Sequence, residues 1–336
     1  MEKLKTHYMG IELDNPIIVG ASNISNDLDN LKKAEDSGAA AIVYKSLFEE
    51  QIQLESFKME EELTAFDDIH AEMRNLHPKI EHAGPEEHLV NIKKAKESLS
   101  IPLIASLNAQ NTDTWMKYSK LLSQAGVDAI ELNFYQTPTD FNKSAKEIED
   151  EQANIVKELK KSLSIPVSVK LSSEYTNVLN LTKNIDQAGA DAFVLFNSFF
   201  MPDVDIKAEE HIKLFNLSNK GDYRRSLRAA GILFENIKAD ICSSHGVHNG
   251  TDTIKLILAG ASCVQMVSTL YKHGLSQIEK SKQKIAEWME EKNYNSIDEF
   301  KGKLSKNNLK SHPFIYRRAQ YVDLLINSEE VLKLKQ

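Results

Sequence analysis

The chain has 336 residues, 41% of them hydrophobic, and a formal net charge of −8. That length and apolar content suffice for a large core, and a barrel of this size is commonly one domain. Lysines interleaved with glutamates, as in "KKAKESL" and "KSKQKIAEWMEEK", read as solvated helix faces and, with the negative balance, argue against nucleic acid or an anionic membrane as partner.

The opening segment, "MEKLKTHYMGIELDNP", lacks the apolar core of a signal peptide, and no apolar run approaches the length of a bilayer span. Two cysteines, Cys242 and Cys263, are too few for a disulfide framework and show no zinc-ligand spacing. They fit a reducing compartment. The expectation is a cytoplasmic protein without a metal site.

Eight short apolar runs follow in chain order. They are "NPIIVGAS" (15–22), the end of "DSGAAAIVYKS" (36–46), "IPLIASLN" (101–108), the end of "QAGVDAIELNF" (124–134), "IPVSVKLS" (165–172), the end of "QAGADAFVLFN" (187–197), "ADICSSHG" (239–246) and the end of "LAGASCVQMVS" (258–268). Four of these repeat one pattern, a glycine closing an amphipathic helix and then a buried run, which suits a left-handed C-cap followed by a strand. Helical periodicity fills the intervals at 86–100, 112–126, 144–164 and 250–260. Apolar strands alternating with helices imply a parallel sheet covered on both faces, and eight units imply a (β/α)8 TIM barrel. A doubly wound open sheet is disfavoured because no G-x-G-x-x-G follows the first strand.

Two connections, 47–84 and 198–223, are long enough to be lids or subunit contacts. After a barrel over about 8–275, residues 276–336 read as an extra C-terminal helix and a polar tail within a single domain.

Barrel chemistry gathers at the C-terminal strand ends. Those ends carry Ser22 and Asn23, Lys45, Asn108, Asn133, Lys170, Asn197, Ser243 and Ser244, and Ser268 and Thr269. Amides, hydroxyls and two lysines converging on one mouth make a polar, positively charged site. Loops after the last two strands commonly hold a phosphate.

The segments "AIVYKSLFEEQI", "IPLIASLN", "AIELNFY", "IPVSVKLS", "FVLFNSFFMPDVDI" and "GVHNGTDTIKLILAGASCVQMVSTLYKHG" resemble the dihydroorotate dehydrogenases, in particular the soluble class and its dihydroorotate-dehydrogenase-like branch. The resemblance implies an FMN-dependent oxidoreductase acting on CH–CH groups in pyrimidine biosynthesis, with hydride passing from dihydroorotate to flavin N5 to leave orotate. It also implies a homodimer and a separate electron acceptor. The hydrophobic N-terminal extension of the quinone-using class has no counterpart in the opening residues.

Carried over by motif, Ala21 and Ser22, Lys45 and Ser46 would contact the flavin, with Asn133 touching flavin and substrate. Lys170 would lie by the ring's N1 and O2, where reduced flavin gathers negative charge. Phe196 would lie by the ring, Asn197 and Ser198 would bind substrate, and His245–Gly246 with Val267–Ser268 would form the phosphate loops.

The sequence departs from the family where the base should stand. The family's N-x-S-C-P-N reads "NFYQTPT" here, which puts Gln136 at the base position and Pro138 at that of the second Asn. A glutamine amide has no useful basicity. An Asn-Leu-Gly stretch over the substrate becomes "HAGP" with His82, and each phosphate loop loses a glycine, to His245 and Val267. Replacement bases rank as Thr137, then His82, then Tyr135, behind the reading that no dedicated base exists. Two other readings stand: a flavin-free Schiff-base aldolase-like barrel using Lys170, and a non-catalytic flavin-binding homologue.

Overall fold

The computed structural model describes residues 2–54, 84–212, 215–309 and 315–326. The chain opens with an antiparallel ribbon, β1 (Thr6–Tyr8) and β2 (Ile11–Leu13). The barrel then starts with β3 (Ile17–Val19) and β4 (Ala41–Val43), whose line is continued by the two-residue β5 (Leu47–Phe48). It goes on through β6 (Leu103–Asn108), β7 (Ala129–Asn133), β8 (Val167–Ser172) and β9 (Ala192–Asn197). A separate hairpin of β10 (Asp203–Asp205) and β11 (Glu210–Ile212) stands in the next connection. The barrel ends with β12 (Asp240–Ser243) and β13 (Cys263–Met266).

Every barrel pairing is parallel, and the ring closes where β13 meets β3 at Val264–Ile17 and β4 meets β6 at Ile42–Leu103. All eight apolar runs read from the sequence are therefore strands of one closed (β/α)8 barrel. Gly38, Gly126, Gly189 and Gly260, the repeated helix-ending glycines, take φ values between +84° and +128°. Side chains rarely adopt that conformation, which is why glycine recurs there.

Helices cover the ring, among them α1 (Leu28–Asp36), α2 (Pro85–Ser98) and, after β12, α3 (Gly250–Ala259). Beyond β13 come a six-residue helix, α4 (Ser268–His273), and then α5 (Ser276–Glu291), which buries Ile278, Ile285 and Met289 against the barrel layer. Gly250 lets α5 approach α3, since a Cβ there would strike the Ser281 carbonyl. Among the described residues no helix is long and apolar enough to cross a membrane.

The period of two divides each strand between two cores. Ile130 and Leu132 of β7, with Val167, Val169 and Leu171 of β8, face the helices. Inside the ring the lower half is apolar and narrow: Ala41, Ala129, Ala192, Val194, Cys242 and Cys263 surround Tyr8, delivered by the β1–β2 turn. The alanines leave room for that ring, so the N-terminal ribbon plugs the barrel floor. Cys242 and Cys263 are register partners on adjacent strands, both buried free thiols.

Tyr8 is 1% exposed, and its hydroxyl makes no hydrogen bond among the described residues. Tyr8→Ala should destabilise the fold by about 3–5 kcal/mol, and Tyr8→Phe by less than about 1 kcal/mol. Chemical denaturation of the three proteins checks the contrast.

Candidate functional site

The C-terminal strand ends open on a cavity of about 280 Å³. Ala21, Ser22, Lys45, Ser46, Lys170, Phe196, His245, Gly246, Val267 and Ser268, the positions that the resemblance assigns to a flavin, all line it. Asn197 and Ser198 line it too and share a wall with a second cavity of about 220 Å³. Asn133 lies just behind: Asn197 donates to its Oδ1 at 2.7 Å, and Asn108 donates to its carbonyl at 2.7 Å. The two amides are thus fixed to each other rather than presented separately.

Lys170 does not stand alone. Its Nζ donates to Gln265 Oε1 at 3.0 Å and lies 3.6 Å from Glu131 Oε1, while Gln265 Nε2 donates to Glu131 Oε2 at 2.5 Å. The anionic partner that a buried lysine needs is therefore Glu131, two residues before Asn133 on the same inward face of β7. The sequence analysis assigned no role to either Glu131 or Gln265. Lys45 is half-buried, which pushes its pKa down, and its ammonium has no ion-pair partner among the described residues. Near it, on α2, His88 is buried edge-on to Tyr44, and its Nε2 has no hydrogen-bond partner among the described residues. Burial and the nearby Lys45 charge hold His88 down at about 4.

The phosphate-loop side answers the two lost glycines. His245 and Gly246 both take left-handed φ, +65° and +78°, and a Cβ on Gly246 would strike the Asp222–Tyr223 backbone. The His245 ring reaches to 3.6 Å from Asp222, and burial lowers its pKa against that carboxylate's pull. Val267 packs its side chain against Gly20: a Cβ on Gly20 would lie 2.7 Å from Val267 Cγ2. A glycine lost from one loop is thus matched by a glycine on the facing strand end.

The long connection after β9 reaches this side through Ser218, a residue the sequence reading did not single out. The Ser218 amide donates to Ser268 Oγ at 3.0 Å, Lys272 Nζ donates to the Ser218 carbonyl at 2.7 Å, and the Ser218 hydroxyl lies 3.3 Å from His248 Nε2. Ser218 falls inside the long connection after β9, where nothing in composition marked it.

The candidate bases fare differently. Gln136, Thr137 and Pro138 are exposed. Gln136 and Pro138 line a smaller outer cavity of about 170 Å³, whereas Thr137 lines neither that one nor the mouth. Tyr135 accepts a hydrogen bond at its hydroxyl from the Phe200 amide at 2.9 Å and meets the Phe199 ring edge-on at 4.6 Å. His82 lies outside the described residues, as does most of the 47–84 connection. Among the described residues, none of Tyr135, Gln136 and Thr137 lines the mouth, and the imidazole that shares it with Asn197 is that of His245 on the loop after β12.

A family model described as dihydroorotate dehydrogenase matches residues 79–289, more than half of the chain. The chain belongs to the dihydroorotate dehydrogenase family. A catalytic subunit of dihydroorotate dehydrogenase B (NAD(+)) from Thermoplasma volcanium is 29% identical over 90% of this chain and 98% of its own length. The corresponding subunit from Methanocaldococcus jannaschii is 26% identical over 86% and 94%. The NAD-dependent dihydropyrimidine dehydrogenase subunit PreA of Escherichia coli is 21% identical over 91% of this chain and 77% of its own. These relatives are oxidoreductases by name, and two kinds of pyrimidine substrate are represented among them.

Two outcomes follow from this site of a dihydroorotate dehydrogenase family member. Gly20→Ala should destabilise the protein by about 1–3 kcal/mol, because stiff Val267 cannot yield, and Gly20→Ala with Val267→Gly should recover most of the loss in thermal melts. His88 has a folded pKa below its unfolded value, so its contribution is full above about pH 6.5 and is lost as pH falls toward 4. Wild type should lose up to about 3 kcal/mol by this route over that window, and His88→Phe should not, as read from unfolding at each pH.

Proposed function

We propose that this chain is an FMN-dependent oxidoreductase acting on CH–CH groups, with its ring-binding site at the barrel mouth. The observation that carries the reading is Lys170, held by Glu131 and Gln265 under a cavity bordered by Lys45 and by the loops after β12 and β13. The fit to FMN is supported by a buried Ser22 hydroxyl that lines the cavity without a partner among the described residues. FMN, when bound, supplies a two-electron acceptor for hydride. The chain's own residues do the rest. Lys170 places a cation beneath the mouth. Asn197, braced by Asn133, offers a fixed amide to a flat polar substrate, and Phe196 covers one wall.

Proton abstraction is the weak part of the chemistry. Neither Thr137 nor Tyr135 presents a free basic group to Asn197, and loss of a general base typically costs 10²–10⁴-fold. Dihydroorotate is therefore the reference substrate rather than the assigned one. The Schiff-base reading loses support from the same pair that supports FMN: a nucleophilic amine must be free, whereas Lys170 is ion-paired and hydrogen-bonded.

Purified protein should take up FMN one-to-one, and Lys170→Met should weaken uptake at least about tenfold. Dithionite should bleach the bound flavin fully under anaerobic conditions. Dihydroorotate should bleach it slowly, with Thr137→Val unchanged. Failure to take up FMN, or borohydride trapping of a carbonyl compound on Lys170, would sink the proposal.

A further inference from the structure

Glu131 is 1% exposed in the middle of a barrel strand, a costly place for a carboxylate. An ionised carboxylate offers about four acceptor sites. Few of them are filled: Oε2 accepts from Gln265, and Oε1 accepts no hydrogen bond among the described residues. Lys170 Nζ, at 3.6 Å from that oxygen, supplies charge rather than a hydrogen bond. A buried pair satisfied this poorly is a weak source of stability compared with apolar packing. Its direction is more informative. Gln265 takes one ammonium proton from the side, Glu131 faces the ammonium on β7, and Lys170 itself lines the mouth, so the other two ammonium protons are shared between the Glu131 side and the cavity.

We propose that Glu131 is a positioning residue: with Gln265 it holds the Lys170 ammonium at the mouth, and its own charge limits the positive potential that a bound flavin ring meets. The inference rests on the FMN reading above. The other charged or titratable groups facing this pair are the Tyr8 hydroxyl beneath Glu131, His245 from the loop after β12, and Lys45 across the cavity. With Glu131 present the lysine's charge is largely balanced. Without it, the ammonium adds an unbalanced positive charge beneath the ring.

The test is the two-electron midpoint potential of FMN-loaded wild type, Glu131→Gln and Lys170→Met, measured by dye equilibration from pH 6 to pH 9. Glu131→Gln should favour the reduced flavin about tenfold, a rise of about 30 mV. Lys170→Met should lie below wild type throughout. A structural role alone changes stability and FMN affinity but leaves potentials superimposed at every pH, and that result overturns the inference while leaving the FMN reading standing. Wild type that binds no FMN overturns both. Should Glu131→Gln fail to fold, Gln265→Met serves instead. It cuts both hydrogen bonds but keeps both charges, so the ammonium should turn toward Glu131 and the potential should fall toward that of Lys170→Met. An unchanged potential there also overturns the inference.

Discussion

A strand residue's neighbours in sequence point the opposite way, and that alternation decides what this barrel holds. Packing Ile130 and Leu132 against the helices obliges Ala129, Glu131 and Asn133 to face inward. Val167, Val169 and Leu171 impose the same on Ser168, Lys170 and Ser172. Asn133 and Lys170 are register partners on these adjacent strands. The opposite charges therefore arise from two helix-facing stripes, and the interior grades from alanine and cysteine at the floor to acid, amine and amide at the mouth.

The architecture was legible because each unit carries two local signals, a glycine needing left-handed backbone and an apolar run too short for a helix. Both are properties of a few consecutive residues, so one sequence suffices. Tyr8 escaped notice for the converse reason. Its segment is marked in sequence only by lacking the apolar core of a signal peptide, and only the ring of small residues that it fills, drawn from β4, β7 and β9, explains it.

The site was legible where strand ends alone define it, as at Lys45, Lys170, Asn197 and Ser268. Cross-barrel partnership was not. Gln265 joins Lys170 from 95 residues away, and no pattern along the chain links them. His88 was hidden likewise, as one polar residue on a helix whose buried face only the fold reveals. Loop direction was illegible for a different reason: the backbone after Asn133 leaves the sheet, so spacing no longer says where Thr137 or Gln136 points. The lost glycine of the last loop shows the limit from another side. Counted along one motif, Val267 is a defect. In three dimensions Gly20 absorbs it.

Ser218 joins the connection after β9 to the short helix after β13, at Ser268 and Lys272, and to the loop after β12, at His248, through three polar contacts. Such a clasp has an effect on timing that equilibrium contacts do not reveal. A molecule seated beneath it leaves only when several bonds on different chain segments break together, so the clasp acts on the escape rate more than on the rate of capture.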